Sequence, residues 1–414
     1  MKDTRQEWFK EAKYGLFIHW GLFSVLAGEY KGKQTRNIAE WIMHDMDIPS
    51  EEYRKLAAQF NPVDFCARDI VKKAKEWGMK YLVFTTKHHE GFAMYYSKCN
   101  PYNVVDATPY GKDVLKEFQL ACEEFGIKLC LYYSQAQDWD DSNGYEADKD
   151  NSKKDFRKYL NEKCLPQIKE LLTEYGDIGL IWFDTPVDMN EEESREIFNL
   201  VKELQPDCIV SGRIGNNMGE YMTTGDNFIP SGYVDGDWEV PATLNDTWGY
   251  SKFDHNWKNP DDIIELLVKI NSRGGNYLLN IGPDSKGNVP KDSMAVLEKV
   301  GTYVKENEDA LFGTKYFGPY CYDINGITFT RKDYKIFAHI LKKRSRLEIL
   351  NIGNKVKAVY ILKNKEALEF RERTTCEGDS YIEIYLPDEL KDKKNYCICI
   401  ETVEKEPVFE ALQD

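Results

Sequence analysis

The sequence predicts an α/β protein, a (β/α)8-like TIM barrel over residues 1–313 followed by an antiparallel β-sandwich over residues 314–414. Three observations carry this. From residue 14 to about residue 282, short apolar runs alternate with amphipathic helical stretches, the pattern of parallel strands joined by crossover helices. Polar residues fall at or just past the C-terminal ends of many of these runs. They are not gathered at the single crevice of an open doubly wound sheet, and in a barrel all such ends face one bowl. After Gly313 the helices stop and short alternating strands follow one another, which places the boundary in the glycine-rich segment around 312–319.

In chain order the strands read as 14–20 (YGLFIHW), 80–87 (KYLVFTTK), 127–134 (IKLCLYYS), 178–184 (IGLIWFD), 208–213 (CIVSGR), about 233–238 (YVDGDW) and 276–282 (NYLLNIG). Helices are expected near 64–77, 113–126, 155–175, 191–205 and 261–273, each with an acidic residue at its start, and again at 292–308. The second domain reads as strands 327–331, 334–341, 346–350, 356–361, 367–370, 380–385 and 396–401, with turns at 323–326 and 353–354. No internal repeat or low-complexity segment interrupts either part.

Composition narrows the partners. Lys and Arg total 55 against 70 Asp and Glu, a net charge of −15 spread along all 414 residues, which argues against nucleic acid and anionic membranes. No run of about 18 apolar residues is present to cross a bilayer. The first thirteen residues are polar and lack the apolar core of a secretory signal, so a cytoplasmic protein, or one whose leader was removed, is expected. Ten scattered cysteines, several inside apolar runs, suit reduced buried thiols, and Cys397 and Cys399 share one strand face without making a metal site. Aromatics make up 13%, with 9 Trp and 26 Tyr, compatible with sugar-stacking faces or with a large aromatic core.

Several residues stand where chemistry is done. Asp184 ends the run GLIWFD and is too far from the helix beginning near Glu191 to cap it, so its carboxylate is read as projecting into the bowl. His19 ends the first strand, and His88 and His89 follow the second in TTKHHEGF. Adjacent residues at a strand end point different ways, so hydrogen bonds to a polyol suit these imidazoles better than shared zinc ligation, although His19, His88, His89 and Glu90 form the alternative metal set. Glu40 and Trp41 lie together in the loop after the first strand. Trp20, Lys87, Tyr133, Ser134, Arg213, Trp238 and Glu239 are placed at strand ends by the same reading. The segment 213–250 is rich in Gly, Asn, Asp and aromatics and long for a barrel loop, and its carboxylates Glu220, Asp226, Asp237 and Glu239 are possible partners for Asp184. Two carboxylates about 5–5.5 Å apart are what a retaining glycosidase requires. The glycines of SRGGNYLLNIGPDSKG precede a strand and read as turn formers, not as a phosphate cradle.

Taken together, KYGLFIHWGLFSV (13–25), AEW (39–41), KYLVFTTKHHEGFAMYYSK (80–98), LYYS (131–134), IWFD (181–184), SGR (211–213), GEYMTTGDN (219–227), DWE (237–239), TWGY (247–250) and GGNYLLNIGPDSKG (274–287) resemble the α-L-fucosidases of glycoside hydrolase family twenty-nine. The resemblance spans about residues 10–310 and implies a retaining exo-hydrolase that needs no cofactor or metal and acts on fucosylated oligosaccharides or glycoconjugates. It makes Asp184 the nucleophile, His19, His88, His89, Tyr133 and Trp182 the fucose-binding set, Glu40 and Trp41 a sugar-contacting pair, and Arg213 a further site residue. Trp41, Tyr133, Trp182 and Trp238 become candidates for the wall of the sugar pocket. The family's acid/base varies in position, and the TPE-like stretch that supplies it in some members reads TTGD here. Asp226 is therefore the first choice, Glu239 the second, with Glu40 and Glu220 behind. Two other readings stay open at this stage: a His-based metal-dependent hydrolase, and a glycan-binding barrel with weak or lost catalysis.

Overall fold

The structure, a computed structural model, describes residues 6–231, 234–317, 325–350, 352–374, 376 and 380–408. Eight strands form the first sheet: β1 (Tyr14–Ile18), β2 (Tyr81–Lys87), β3 (Lys128–Tyr133), β4 (Leu180–Phe183), β5 (Ile209–Val210), β6 (Met222–Thr223), β7 (Trp238–Thr243) and β8 (Asn276–Ile281). Their order is β5-β4-β3-β2-β1-β8-β7-β6, every pair parallel. A parallel bridge between Ser211 and Tyr221, with the Glu220 N–H donating to the Val210 carbonyl at 2.8 Å, joins the two edges and closes the ring.

Two strands differ from the sequence reading. Trp238–Thr243 replaces 233–238, so Trp238 and Glu239 open β7 where the sequence suggested that they close a strand; Tyr233 itself lies outside the described residues. β6 is only two residues long and sits inside the segment read as a binding loop. No α-helix intervenes between β5 and β6, which are linked through a 3-10 turn at Gly212–Ile214.

Around the barrel lie α1 (Ala67–Glu76), α2 (Val114–Phe125), α3 (Leu165–Glu174), α4 (Glu191–Leu204), α5 (Pro260–Ser272) and α6 (Lys291–Glu306). Local chemistry fixes their starts. Asp113 accepts the Lys116 N–H before α2, Asn190 and Glu193 form a reciprocal capping box before α4, and Asn259 accepts the Asp261 N–H before α5. Gly126 ends α2 with φ 64°, a conformation open to glycine at little strain. Before α3 the chain runs through a helical turn, Phe156–Tyr159, and a π-helical turn, Leu160–Cys164.

Strand alternation sorts the core into two layers. Phe17, Tyr81, Val83, Cys130, Tyr132, Leu180, Trp182 and Leu278 fill the barrel, closed below by Phe9 and Ala12 of the helix Glu7–Ala12. Leu16, Leu82, Phe84, Leu131, Tyr133 and Phe183 belong to the other layer, packed beneath the helices. Gly15 makes room inside the ring: a Cβ there would lie 2.4 Å from the Tyr81 ring.

The second region has a five-stranded antiparallel sheet, β9 (Lys315–Tyr316), β10 (Ile327–Lys332), β11 (Lys335–Ile340), β16 (Tyr396–Thr402) and β13 (Val356–Ile361) in spatial order. It faces a three-stranded one of β12 (Arg346–Leu350), β15 (Ser380–Tyr385) and β14 (Phe370–Thr374). Ile336, Ala338, Leu347, Ile349, Ile382, Ile384, Ile398 and Ile400 are among the residues of the core between them. β14 stands at 370–374 in place of the expected 367–370, and the turn read at 323–326 lies partly outside the described residues. The outer face of the larger sheet meets the barrel through Thr330 Oγ1 donating to the Ala310 carbonyl (2.8 Å), Tyr303 Oη with His339 Nδ1 (3.3 Å) and Asn395 Nδ2 donating to Asp261 Oδ1 (3.0 Å). The nine described cysteines are free thiols, and Cys397 and Cys399 pack side by side against this interface; Cys321 lies outside the described residues.

Candidate active site

At the C-terminal mouth of the barrel a cavity of about 240 Å³ is lined by Phe17, His19, Asn37, Ile38, Glu40, Trp41, His88, His89, Trp182, Asp184, Thr185, Arg213, Asp226 and Trp248. It lies below the ~300–1,000 Å³ typical of drug-sized ligands and has space for about one sugar ring.

Asp184 follows β4 with the inward parity of Leu180 and Trp182. Its Oδ2 accepts the Tyr132 hydroxyl at 2.8 Å and lies 3.5 Å from His89 Nε2. Its Oδ1 accepts Arg213 Nη1 at 2.9 Å and the Thr185 hydroxyl at 3.1 Å. Burial pushes this carboxyl up, but the Arg213 guanidinium and the Tyr132 hydroxyl outweigh burial and hold it below its ordinary value, so it is ionised. Thr185 has φ 45°, left-handed backbone that a β-branched residue adopts only under strain, immediately after that carboxylate.

Arg213 serves two carboxylates. Nη1 binds Asp184, and Nη2 pairs with Asp226 on the loop between β6 and β7. The guanidinium also lies over the Trp182 ring, 4.7 Å from its centroid. Asp226 is 46% exposed in its side chain and Asp184 12%, which puts the first at the rim and the second within. The rim loop is pinned by Thr224 N–H to the Glu239 carbonyl, by Asn227 N–H to the Pro241 carbonyl, and by Asn227 Oδ1 accepting from Lys258 Nζ at 2.7 Å.

The three histidines are neutral. Burial takes His19 and His89 down to about 4 and His88 well below its ordinary value. Their partners select the tautomers. Asn280 donates from Nδ2 to the Trp248 carbonyl, so its Oδ1, 2.7 Å from His19 Nδ1, accepts from that ring nitrogen and leaves His19 Nε2 an acceptor. Ser134 donates to the Gln137 carbonyl and accepts from His89 Nδ1 at 2.6 Å, leaving His89 Nε2 an acceptor too. His88 Nδ1 is buried without a hydrogen-bond partner among the described residues. Glu40 is buried; its Oε2 accepts the Thr247 hydroxyl (3.1 Å) and the Gly249 N–H (2.9 Å), while burial raises its carboxyl to about 7. Trp41 stands edge-on to His89, with ring centroids 5.3 Å apart.

The structure thus gathers His19, Glu40, Trp41, His88, His89, Trp182, Asp184, Arg213 and Asp226 around one cavity and leaves other candidates away from it. Tyr133 faces outward, its hydroxyl donating to Gln167 Oε1 at 2.8 Å under the helices, and the neighbouring Tyr132 holds the place by Asp184. Trp238 is buried at the start of β7, where its ring fills the space beside Gly275. Glu239, also at that start, is sealed inside the barrel, accepting the Tyr81 hydroxyl at 2.5 Å and Trp182 Nε1–H at 3.0 Å. Glu220 is outside the barrel, paired with Lys202. Trp20 packs on Phe60 and Phe65, and Lys87 is buried in an ion pair with Asp138, so neither lines the cavity. Among the described residues, no three His, Cys, Asp or Glu side chains converge as metal ligands would. The sequence reading did not single out Phe17, Thr185, Tyr132 or Trp248. The run TWGY was the available signal for Trp248; LCLYY, apolar throughout, offered none to choose Tyr132 over Tyr133.

The family model for α-L-fucosidase matches residues 1–309. A tissue α-L-fucosidase of Bos taurus is 30% identical over 359 residues, covering 81% of this chain and 74% of its own. The crystal structure of an α-L-fucosidase from Vibrio sp. strain EJY3 superposes with a TM-score of 0.91 at 32% identity, over 98% of this chain and 74% of that one. An α-L-fucosidase from Lactobacillus casei superposes with a TM-score of 0.70 at 43% identity, over 74% of this chain and 99% of that one. The Lactobacillus casei enzyme has also been solved with its α-L-fucose product and, as an aspartate-to-alanine variant, with Fucα(1,6)GlcNAc.

Proposed function

The chain belongs to the α-L-fucosidase family, glycoside hydrolase family twenty-nine, and from that premise we propose that it releases terminal α-L-fucose by double displacement, with Asp184 as nucleophile and Asp226 as acid/base. The observation that carries this reading is the single Arg213 guanidinium in contact with both carboxylates. A shared fork brings both carboxyl groups to one cation at the cavity, the pairing that a double displacement needs, and retaining enzymes hold such a pair ~5–5.5 Å apart.

The chemistry follows from the charges. The reaction requires Asp184 as the carboxylate and a proton for the leaving group delivered through Asp226. Asp184 Oδ attacks the anomeric carbon, the bond to the glycosidic oxygen breaks, and Asp226 protonates that oxygen as it leaves. The result is a fucosyl ester on Asp184 and a carboxylate on Asp226. Negative charge has moved from one carboxylate to the other while Arg213 remains beside both, so the guanidinium keeps a carboxylate partner in either state. Asp226 then takes a proton from water as that water attacks the anomeric carbon, and Asp184 is released.

Neutral imidazoles on His19, His88 and His89 suit sugar hydroxyls, since each offers hydrogen-bonding capacity without a competing charge. Trp182, Trp248 and Phe17 supply the apolar wall for the fucose methyl group. A cavity of about 240 Å³ supports removal of one terminal sugar, with the remainder of the glycan outside the mouth. The Fucα(1,6)GlcNAc bound by the Lactobacillus casei relative makes a fucosylated N-acetylglucosamine the first natural-type substrate to assay.

The test is Asp184→Ala with and without azide. Turnover of an aryl α-L-fucoside should vanish in the variant and return in part as β-L-fucosyl azide forms in the vacated space. Undiminished turnover in the variant would overturn the assignment.

A further inference from the structure

Beneath the cavity floor a second carboxyl group lies in the barrel without a part in the chemistry above. Glu239 is fully buried at the start of β7 and faces the interior. Its Oε2 accepts the hydroxyl of Tyr81 on β2 at 2.5 Å, and its Oε1 accepts the indole N–H of Trp182 on β4 at 3.0 Å. Three strands are thereby tied across the ring through one side chain. The absence of a side chain at Gly15 permits it, because the Tyr81 ring occupies the space that a Cβ would take.

A buried carboxyl group is an expensive filler. Burial raises Glu239 to about 7, and an apolar residue of similar volume would pack there at lower cost. What it supplies is direction. Trp182 is a flat ring between catalytic groups: it stacks on Tyr132 at 5.6 Å with the planes 18° apart, and it carries the Arg213 guanidinium on its face. Tyr132 and Arg213 make the two shortest side-chain hydrogen bonds to the Asp184 carboxylate, at 2.8 and 2.9 Å. An indole free to rotate would move both.

We propose that Glu239 is a positioning residue of the fucosidase reaction, fixing the Trp182 indole and through it the Arg213 and Tyr132 groups that hold Asp184. The inference rests on Asp184 as nucleophile, and its test is separable from that reading. Glu239→Gln keeps an acceptor for the indole N–H. Glu239→Met removes it at similar volume, and Glu239→Asp keeps the charge but falls one methylene short.

All three are assayed on an aryl α-L-fucoside and on Fucα(1,6)GlcNAc, alone and combined with Trp182→Phe, which lacks the N–H. Glu239→Gln should stay within about threefold of the parent, while Met and Asp lower kcat/KM about 10- to 100-fold, mostly in kcat and equally on both substrates. In the Trp182→Phe background Glu239→Met should add less than about twofold, because the interaction it removes is already gone. Full activity of the Met or Asp variant overturns the proposal, as does a loss that multiplies with that of Trp182→Phe. So does a loss confined to Fucα(1,6)GlcNAc, which would mark Glu239 as the proton donor. Should the Met variant fail to fold, the Asp variant decides alone. Failure of azide to rescue Asp184→Ala would instead remove the nucleophile assignment, whatever Glu239 does.

Discussion

Tyr132→Phe deletes one hydroxyl and nothing else from the wall around Asp184. The ring itself is held by near-parallel contacts with Trp182 and His88, each with centroids 5.6 Å apart, and these survive the change. The lost interaction is a 2.8 Å hydrogen bond to a buried, ionised carboxylate. Such bonds contribute about 1.5–3 kcal/mol, and tenfold in rate corresponds to about 1.4 kcal/mol, so kcat/KM should fall about 10- to 150-fold. The pH profile should change as well. Asp184 attacks as the carboxylate, and Tyr132 is one of the groups holding its proton affinity down against burial. Without that donor the carboxyl binds its proton more tightly, and the acid limb of kcat/KM moves to higher pH. The control is Tyr133→Phe, whose hydroxyl bonds Gln167 on the opposite strand face. That variant should lose about 1 kcal/mol of stability and keep its kcat/KM and its acid limb. Initial rates on an aryl α-L-fucoside between about pH 4 and 8, with thermal melts of both variants, separate the cases. A Tyr132→Phe enzyme within about twofold of the parent and with an unmoved acid limb refutes the reasoning, as does an equal rate loss in Tyr133→Phe.

Further expectations follow from the same geometry. Arg213→Met strands two carboxylates without their common counter-ion and should lower kcat/KM by at least about 100-fold, corresponding to the ~3–5 kcal/mol of breaking a buried pair; loss under about tenfold would contradict the shared-fork account. The imidazole C–H resonances of His19, His88 and His89 should not titrate between about pH 5.5 and 8, because burial depresses all three; a midpoint near the ordinary His value for any of them would contradict the neutral set. Exhaustive chelation should leave turnover intact, since no ligand cluster is assembled among the described residues; a loss restored by a divalent cation would revive the metal reading. Asn190→Ala, which opens the capping box of α4 at a residue that does not line the cavity, should cost about 1 kcal/mol in denaturant melts without changing KM.

The barrel and much of its site were legible because an apolar strand ending in a polar residue is a strong signal, and the closed ring brings those ends together whatever the loops do. His19, His88, His89, Asp184 and Arg213 all came from that rule. It failed where strand identity or register was hidden. β3 is buried on both faces apart from Lys128, so LCLYY carries no polar alternation to say which tyrosine points inward, and a one-residue slip exchanges Tyr132 for Tyr133. β7 contains Pro241, which argues against a central strand, yet it pairs with Leu278 in the middle of the ring. Missing that strand moved Trp238 and Glu239 from its start to the end of another. β6, with two residues, is too short for any periodicity to register.

The central claim is that fucose leaves through a covalent ester on Asp184 and so retains its configuration. Proton NMR of the first minute of turnover of an aryl α-L-fucoside reads this directly, before mutarotation mixes the anomers. The account predicts that α-L-fucose appears first and the β anomer only later. β-L-fucose as the first product would mean single displacement by water and would contradict it.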